Sequence, residues 1–564
     1  MQTSRRAFLK ASSTAFLAAA VLPAISLPRA FATTPVTHDL RKALNRLSFG
    51  ATQQNLAKAE KLGLENWLDQ QLGLSGNAAP EDTKLADILS QAYIPMEYEA
   101  GKDENNNEWK AVKEPKRPLR HLKAELASFI PLTDFSKPYE YSERERPARE
   151  VQLASLIRAV HAENQLAEVI TQFWHDHFNV NSTKDAQCAA FFVLHDRLIR
   201  THSLGNFRQL LGSTAKSPAM LAYLNNAESR ASPANENYAR ELFELHTMGE
   251  AGYANGLYTH WSDVPGANDG LAQLYIDQDI YEAARAFTGW TIGDGSDMGE
   301  GDILPVTGEM TYFQRWHDPY QKRILGHEFA ANAAPMTDGE TILDMLASHP
   351  ATAQTIALKL TRRLLADEPD QQMVNRVAAA FIELKDDPQQ IAKLVRLIAL
   401  SPEFAAEPPM KMKRPMEFLA SFYRATGAQI NTTGNAFNHL QHAGWRQHEW
   451  RPPTGHPDTA THWANTNTLS ATSMIAINAL EDWFETASID LWAGDHKNIT
   501  TIGALAETWS TALLGSKPDD AFIQALATGF GNPDDGLAED AGGRAWQART
   551  MIALVSLSPE FMTR

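Results

Sequence analysis

The 564-residue chain has a single cysteine, Cys188, so no disulfide can form within it. The thiol lies in a run of small and aromatic residues, which is typical of a buried, unreactive cysteine. The fold must therefore be held by its core alone, even in an oxidising compartment. The length and the hydrophobic content of 43% suffice for a large core divided between two or more domains.

Positive charge and long apolar runs are also scarce. Lys and Arg total 51 against 68 Asp and Glu, which gives a net charge of −17. This acidic balance argues against nucleic acid or anionic lipid as a partner. Beyond the N-terminus, no stretch is long and apolar enough to predict a transmembrane helix.

Several well-known catalytic motifs are missing. The chain has no Gly-x-Ser-x-Gly elbow, no Walker loop and no dinucleotide-binding glycine pattern. It also lacks the His-x-x-x-His pair that marks a helical zinc site. Nucleophilic hydrolases and nucleotide enzymes are therefore poor descriptions of this chain.

The most specific signal lies at the N-terminus. Arg5 and Arg6 are followed by an apolar run that Pro23 interrupts, and then by Ala-Phe-Ala ending at Ala32. We expect a twin-arginine signal peptide over residues 1–32, cleaved after Ala32, with the twin-arginine translocase as a partner during export. The mature protein is then periplasmic or secreted and has no transmembrane anchor. The alternative is an uncleaved segment that stays in the membrane.

The motif Phe-Trp-His-Asp-His-Phe at residues 173–178 closes the clearest helix pattern in the chain. One apolar face recurs at helical spacing and comprises Leu166, Val169, Ile170 and Phe173. His175 and His177 follow where this pattern ends. Two rings at this spacing diverge by ~200° on a helix, so both can bind one metal only if the helix ends near Trp174.

A second polar stretch follows an expected helix start at Asn235. Its polar face comprises Asn237, Arg240, Glu241 and Glu244, and His246 lies in the expected last turn. A cation at that position is also favoured by the helix dipole alone. The stretch is therefore either a functional site or a set of ion pairs that fixes helix packing.

A third polar group, His317 and Asp318, lies between two strand-like segments, 310–313 and 323–325. We expect these segments to pair as a hairpin that carries both residues on its connection. The other patterns are helical. The predicted fold class is mainly α: a large multi-helical globular protein with one small β-hairpin and long irregular loops.

The three groups together contain enough imidazole and carboxylate for a divalent transition metal such as Zn, Mn or Fe. The candidate ligands are His175, His177, Glu241, His246 and His317. For catalysis, the candidates are Asp318 or Glu244 as general base and Arg240 or Arg285 as the group that holds an anion.

Eight motifs in a fixed order carry a family resemblance. They are FWHDHF, NENYARELFELHTMG, YEAARAFTGW, HDPYQKRILG, HPATAQTIALKLTRRLLADEP, LSPEF, KRPMEFL and RPPTGHPD. This order resembles the bacterial DUF1800 family over roughly residues 38–561. Two departures are Asp176, where Asn is frequent in the family, and Gly-His-Pro-Asp in the Pro-rich loop, where a Gly-Trp form is commoner.

The resemblance implies a large, exported, mainly α-helical protein of no established activity. Genes of the family often lie beside genes for a second exported family with a sulfatase-like fold. By motif position, the family's marked polar residues fall on ten positions of this chain: His175, His177, Asn235, Asn237, Arg240, Glu241, His246, Arg285, His317 and Asp318. Along the chain we expect an N-terminal helical domain with the polar motifs and the hairpin (33–335), a helical unit (336–430), and the Pro-rich loop with a C-terminal helical unit (431–564).

Three hypotheses of function follow. The first is a periplasmic, metal-dependent, hydrolase-like enzyme that acts on a cell-envelope component or polysaccharide. The second is a non-catalytic partner or scaffold for a co-exported sulfatase-like protein, in which the same residues form a buried polar network. The third is sugar binding without catalysis, through Trp445, Trp450 or Trp463.

Overall fold

Helices dominate the structure, which is a computed structural model. It describes residues 39–75, 82–103, 106–406, 411–430, 435–478, 487–492 and 498–564. Helix accounts for 56% of the chain and strand for 9%, which confirms the predicted mainly α fold. The motif of Arg5 and Arg6 and the cleavage site after Ala32 lie outside the described residues, so export stays a prediction.

The helices of the N-terminal part surround the polar motifs. In order they are α1 Leu40–Leu47, α2 Gln53–Leu62, α3 Leu64–Gln71, α4 Thr83–Gln91, α5 Ile130–Thr133, α6 Tyr141–His161, α7 Gln165–His177, α8 Ala186–His202, α9 Phe207–Ala215, α10 Pro218–Tyr223, α11 Asn237–Glu241 and α12 Asp277–Ala286. Many of them begin where a side-chain oxygen accepts an otherwise unpaired backbone N–H; Asn164, for example, accepts from Ala167 at the start of α7.

The helices of the C-terminal part complete the fold. They are α13 Thr337–Ala347, α14 Pro350–Leu364, α15 Gln371–Glu383, α16 Gln390–Ala399, α17 Pro402–Ala405, α18 Pro415–Thr426, α19 Asn435–His442, α20 Ala460–Trp463, α21 Thr466–Asn478, α22 Ile502–Leu514, α23 Asp520–Thr528, α24 Ala541–Ser556 and α25 Pro559–Met562.

Helix α8 lies at the centre of the N-terminal helices and packs against α6, α7, α9 and α10. Cys188, Ala189 and Ala190 in its first turns are fully buried, because small side chains allow neighbouring helices to approach closely. The buried Cys188 thiol agrees with the sequence prediction. Helix α7 packs against α8 along its own apolar face, which presents the FWHDHF motif to the protein interior.

The strands form five small antiparallel pairs. They are β1 Tyr93–Tyr98 with β4 Val112–Pro118, β2 Gly101–Lys102 with β3 Glu108–Trp109, β5 Trp290–Asp294 with β6 Val306–Tyr312, β7 Lys322–Ile324 with β8 His327–Phe329, and β9 Gln429–Ile430 with β10 Ala487–Ser488.

The prediction that segments 310–313 and 323–325 pair with each other as one hairpin is wrong. Both predicted strand segments exist, but β6 pairs with the preceding β5 and β7 pairs with the following β8. His317 and Asp318 therefore lie on a connection between two separate hairpins. Short strands with similar patterns do not identify their partners, because the pairing depends on contacts made elsewhere in the fold.

Residues Thr37–Arg564 form one compact unit. Among the described residues, no helix has both the length and the hydropathy needed to cross a membrane. The proposed subdivision at residues 335 and 430 stays a prediction.

Candidate functional site

Helix α7 continues through His177, beyond the point at which both histidines could bind one metal. Its last three polar residues, His175, Asp176 and His177, therefore point in different directions around the helix. Each enters a different network of partners. The FWHDHF motif thus connects three polar clusters and does not form one site.

His175 belongs to a buried chain of charges. Its Nε2 lies 3.0 Å from the carboxylate of Asp196, which accepts hydrogen bonds from Arg200 at 2.9 and 3.0 Å. Arg200 in turn binds both carboxylate oxygens of Glu168, at 2.9 and 2.8 Å. Burial alone would raise the pKa of Asp196, but the neighbouring cations hold it well below its usual value.

The space beside His175 is too small for a substrate. His448 lies with its ring centroid 4.4 Å from that of His175, and the cavity that both rings line measures about 10 Å³. Such a volume accommodates about one water molecule. The His175 cluster is therefore a closed network that joins α7, α8 and the loop around His448.

Asp176 is the centre of the second cluster. Its two oxygens accept hydrogen bonds from Arg414 at 2.8 Å and from His456 Nδ1 at 2.9 Å. Arg414 also donates to Glu417 at 3.2 Å, and Glu417 pairs with Arg363. Burial would raise the pKa of Asp176, but Arg414 and His456 lower it below its usual range.

This second cluster was missed among the predicted site residues. Asp176 stands between the two histidines, and Arg414 and Glu417 belong to the KRPMEFL motif, so the family motifs contained all three residues. Their spacing along the chain gave no sign that they meet. The Pro-rich loop reaches the same cluster through His456, which stacks on Trp445 with ring centroids 3.8 Å apart.

The tryptophans of the Pro-rich loop are not arranged as a sugar-stacking surface. Trp445 and Trp463 are each 1% exposed, so their faces are unavailable to a ligand. Trp450 is half-buried, and its ring packs 4.9 Å from that of His456. The geometry therefore does not favour glycan binding by these three residues.

His177 and His246 form the third cluster together with Lys359. His177 Nε2 donates to the backbone oxygen of His246 at 3.1 Å, which leaves Nδ1 as the acceptor for Lys359 Nζ at 3.1 Å. Lys359 also donates to the backbone oxygen of Leu245 at 3.0 Å. Burial, together with Lys359, keeps the pKa of His177 well below its usual value, and burial lowers that of Lys359 to about 8.

His246 of this cluster ends a π-helical turn, Leu242–His246, which directly continues α11. Single π turns inside helices are rare and are frequent at functional sites. Glu241 is the last residue of α11 and Glu244 lies on the turn, and both side chains are half-buried. No group of the described residues donates a hydrogen bond to either carboxylate. Burial and the charge of Glu244 raise the pKa of Glu241 to about 7, and burial together with Glu250 raises that of Glu244.

The other polar residues of this stretch have local partners. Asn235 accepts from the Asn237 backbone at 3.0 Å, and Asn237 donates to the Leu224 carbonyl at 3.2 Å. Arg240 lies 3.2 Å from Glu236 and 3.5 Å from Asp277. Its guanidinium is therefore engaged, although its charge still lowers the pKa of Glu241 and of Glu244.

His317 and Asp318 form a separate structural network. Asp318 accepts hydrogen bonds from Arg285 through both carboxylate oxygens, at 2.9 and 3.0 Å. The predicted general base and the predicted anion-binding residue are therefore paired with each other. His317 Nδ1 lies 3.0 Å from the Thr288 carbonyl, while its Nε2 lies 3.6 Å from Asp338. Burial would raise the pKa of Asp318, but the bonds from Arg285 lower it.

The five predicted metal ligands are thus distributed over separate clusters. His175 pairs with Asp196. His177 accepts a hydrogen bond from Lys359 and donates one to the backbone oxygen of His246. His317 contacts a backbone carbonyl. Within the part of the chain that the structure describes, no group of three or more His, Cys, Asp or Glu side chains is placed to hold a metal ion. This arrangement does not support a shared metal centre.

The comparison with family models identifies the class of protein. The model of the DUF1800 family, described as a protein of unknown function, matches residues 42–563. The chain therefore belongs to this family, as the eight motifs predicted. No curated protein and no solved structure matches the chain.

Proposed function

We propose that the protein is an exported, hydrolase-like enzyme that acts on a cell-envelope polysaccharide through the carboxyl groups of Glu241 and Glu244. One observation carries this proposal: two half-buried carboxylates, Glu241 at the end of α11 and Glu244 on the π turn, lack hydrogen-bond partners among the described residues and have raised pKa values. Buried groups without a structural partner and with perturbed pKa values are typical of acid–base sites.

The spacing of the two residues suits glycoside hydrolysis. Residues three apart on an α-helix share one face and have Cβ atoms roughly 5–6 Å apart. Side chains of this length can extend from there to the carboxyl separation of about 6.5–9.5 Å that inverting glycosidases use. With a pKa of about 7, Glu241 is about half protonated at pH 7, and the protonated form can donate its proton to the glycosidic oxygen as the C–O bond breaks. Glu244 would remove a proton from the attacking water, whose oxygen bonds to the anomeric carbon.

The cluster behind the turn has a positioning role in this proposal. Lys359 donates to the Leu245 carbonyl, and His177 donates to the His246 carbonyl, so two carbonyls of the π turn are fixed from the interior. A turn held in this way keeps Glu241 and Glu244 in place without neutralising them. The proposal needs no metal, because the candidate ligands belong to separate networks.

The protonation state of Glu241 can be tested without a substrate. At pH 6.5 a carboxyl group with a pKa of about 7 is roughly three-quarters protonated, whereas an ordinary glutamate is under about 1% protonated. Because carbodiimides react with the protonated form, brief treatment with a carbodiimide and an amine should label Glu241 ahead of exposed carboxylates, as read by peptide mass spectrometry. Labelling of Glu241 no greater than that of exposed glutamates would contradict the proposed acid.

Activity is tested by the release of reducing ends from purified envelope polysaccharides. We expect Glu241→Gln and Glu244→Gln each to lower the rate by roughly 10²–10⁴-fold, as for loss of a general acid or base. Glu309→Gln, an exposed change on β6, is the matched control and should leave the rate unchanged. Full activity in both site variants, or no release by the wild type from any polysaccharide, would overturn the proposal.

Export by the twin-arginine translocase is part of the same proposal, and the residues that support it are Arg5 and Arg6 with the cleavage signal ending at Ala32. Replacing both arginines with lysine should leave the uncleaved protein in the cytoplasm, as judged by fractionation and by the N-terminal sequence. Normal processing of that variant would refute this route.

A second candidate function is a non-catalytic scaffold for a co-exported sulfatase-like protein. The observation that favours it is that most motif residues are bonded to buried partners within the fold. These residues are His175, Asp176, Arg285, His317 and Asp318. The two candidates are separated by co-expressing the chain with an exported sulfatase-like protein. A scaffold with Glu241→Gln should still raise the yield of the folded partner, whereas the enzyme with the same substitution should show the roughly 10²–10⁴-fold lower rate given above.

A further inference from the structure

A large cleft is lined by residues none of which belongs to the Glu241 site. Its volume is about 1300 Å³, and its walls come from α2, α4, α6, α18 and the strands β1 and β9. This exceeds the roughly 300–1,000 Å³ of most small-molecule pockets. The cleft therefore has room for a chain of several sugar units.

Three basic side chains line this cleft without an acidic partner in the part of the chain that the structure describes. Arg424 donates to two backbone carbonyls, those of Gly50 at 3.3 Å and Val160 at 2.8 Å, and among the described residues it forms no ion pair. Burial lowers the pKa of Arg424 to about 10. The two backbone bonds fix the guanidinium at the wall of the cleft while its charge stays uncompensated.

His161 and Lys84 add to the same positive region. Burial, followed by repulsion from Lys84 and Arg424, lowers the pKa of His161, so the three groups lie close enough to interact through space. Among the described residues that line the cleft, Glu163 is the one acidic residue. It is 69% exposed and lies 3.7 Å from Lys58. Within that described lining, no carboxylate is paired with the basic group, in a chain whose net charge is −17.

The remaining polar lining is rich in side-chain amides, which both donate and accept hydrogen bonds and therefore suit sugar hydroxyls. These amides belong to Gln53, Gln54, Asn55, Gln91 and Gln429. Tyr93 adds a partly exposed aromatic ring. Amides combined with an unpaired guanidinium point to a ligand that has many hydroxyls and at least one anionic group.

We propose that this cleft binds an acidic oligosaccharide, with its carboxylate or sulfate group placed against Arg424, Lys84 and His161. An uncompensated, half-buried arginine gains from an anion because the anion replaces the lost hydration of the guanidinium. The net charge of −17 disfavours nonspecific binding of polyanions, which makes a local basic cleft the favoured place for an acidic ligand. The inference stands independently of Glu241, since the two regions have no lining residue in common.

The test is calorimetric titration of the full mature protein at low and high salt. The probes are an α-1,4-linked galacturonate tetrasaccharide, a sulfated tetrasaccharide, the neutral galactose tetrasaccharide of the same linkage, and inorganic sulfate. We expect at least one acidic tetrasaccharide to bind at least tenfold more tightly than the neutral one and than sulfate alone. Whichever acidic probe binds more tightly identifies the anionic group as carboxylate or sulfate.

Variants locate the site. Arg424→Gln and Lys84→Gln should each weaken binding of the acidic tetrasaccharide, the first by at least tenfold. Lys84 is exposed, so its replacement does not endanger the fold. Lys58→Gln, on the Glu163 side of the same cleft, is the matched control and should have a smaller effect. The His161 imidazole, assigned by NMR with His161→Gln, should gain affinity for a proton when the anion is bound.

Three results would overturn the inference: no binding of either acidic tetrasaccharide, equal binding of the neutral tetrasaccharide or of sulfate, or unchanged affinity in both variants. None of these results depends on hydrolysis. Failure of the cleft and failure of the Glu241 site are therefore distinguishable.

Discussion

Replacing Asp196 with Asn should destabilise the protein strongly, because it leaves a buried cation network without its central anion. The carboxylate is 3% exposed and accepts from His175 and from Arg200, and Arg158 lies 3.6 Å away. Removing one partner of a buried ion pair costs about 3–5 kcal/mol. An unfolding entropy of about 2.1 cal/mol/K per residue gives roughly 1.1 kcal/mol/K for the unit Thr37–Arg564. The melting temperature should therefore fall by about 3–5 °C.

The assay is urea unfolding at neutral pH together with scanning calorimetry. The matched control is Asp302→Asn, which breaks an exposed ion pair with Arg315 and should change the free energy of unfolding by less than about 1 kcal/mol. The neighbouring cations keep the pKa of Asp196 well below its unfolded value, so its stabilisation is complete above about pH 4 and is lost as the pH falls towards the folded-state pKa. Equal stability of Asp196→Asn and the control would refute the view that this cluster serves the fold.

Two further substitutions test other parts of the motif network. Gly455 has a φ of +69°, and a Cβ there would overlap the backbone oxygen of Asp176, so Gly455→Ala should lower the free energy of unfolding by about 2–4 kcal/mol through strain and displaced packing. The control is Gly256→Ala, where a Cβ meets no atom within 4 Å, and it should lower this free energy by under about 0.5 kcal/mol in the same urea experiment. Equal losses of stability would contradict the proposed close approach. Asp318→Asn removes a bidentate bond to Arg285, whose side chain is 26% exposed, and should cost about 1–2 kcal/mol at neutral pH. Because the folded-state pKa of Asp318 is lowered, this difference should shrink as the pH falls below about 4, and a difference that grows on acidification would contradict the assignment.

The sequence was sufficient for the helical architecture and for the family. The apolar residues before the FWHDHF motif recur at helical spacing, and that periodicity alone predicts the buried face of α7. Helix patterns of this kind are local, because each depends on residues three and four apart. The same local rule gave the polar face of 237–244, and Glu241 and Glu244 lie on it as the proposed catalytic pair.

The tertiary structure decided which polar residues meet. Asp196, Arg414 and His456 reach the FWHDHF motif from 21, 238 and 280 residues away. No periodicity links such positions, since their contact results from the packing of α8, α18 and the Pro-rich loop around α7. The pairing of β6 with β5 could not be predicted from the sequence either, because no local periodicity identifies the partner of a short strand.

The sequence also did not predict the π turn, which follows Glu241 and carries Glu244. Spacing placed Glu241 and Glu244 on one face, but burial and the absence of partners raise their pKa values, and both depend on the surrounding fold. The sequence by itself therefore determined the helices and the set of polar candidates. Only the tertiary structure separated candidates with structural partners from the two carboxylates without them, because solvation and long-range contacts do not follow from local spacing.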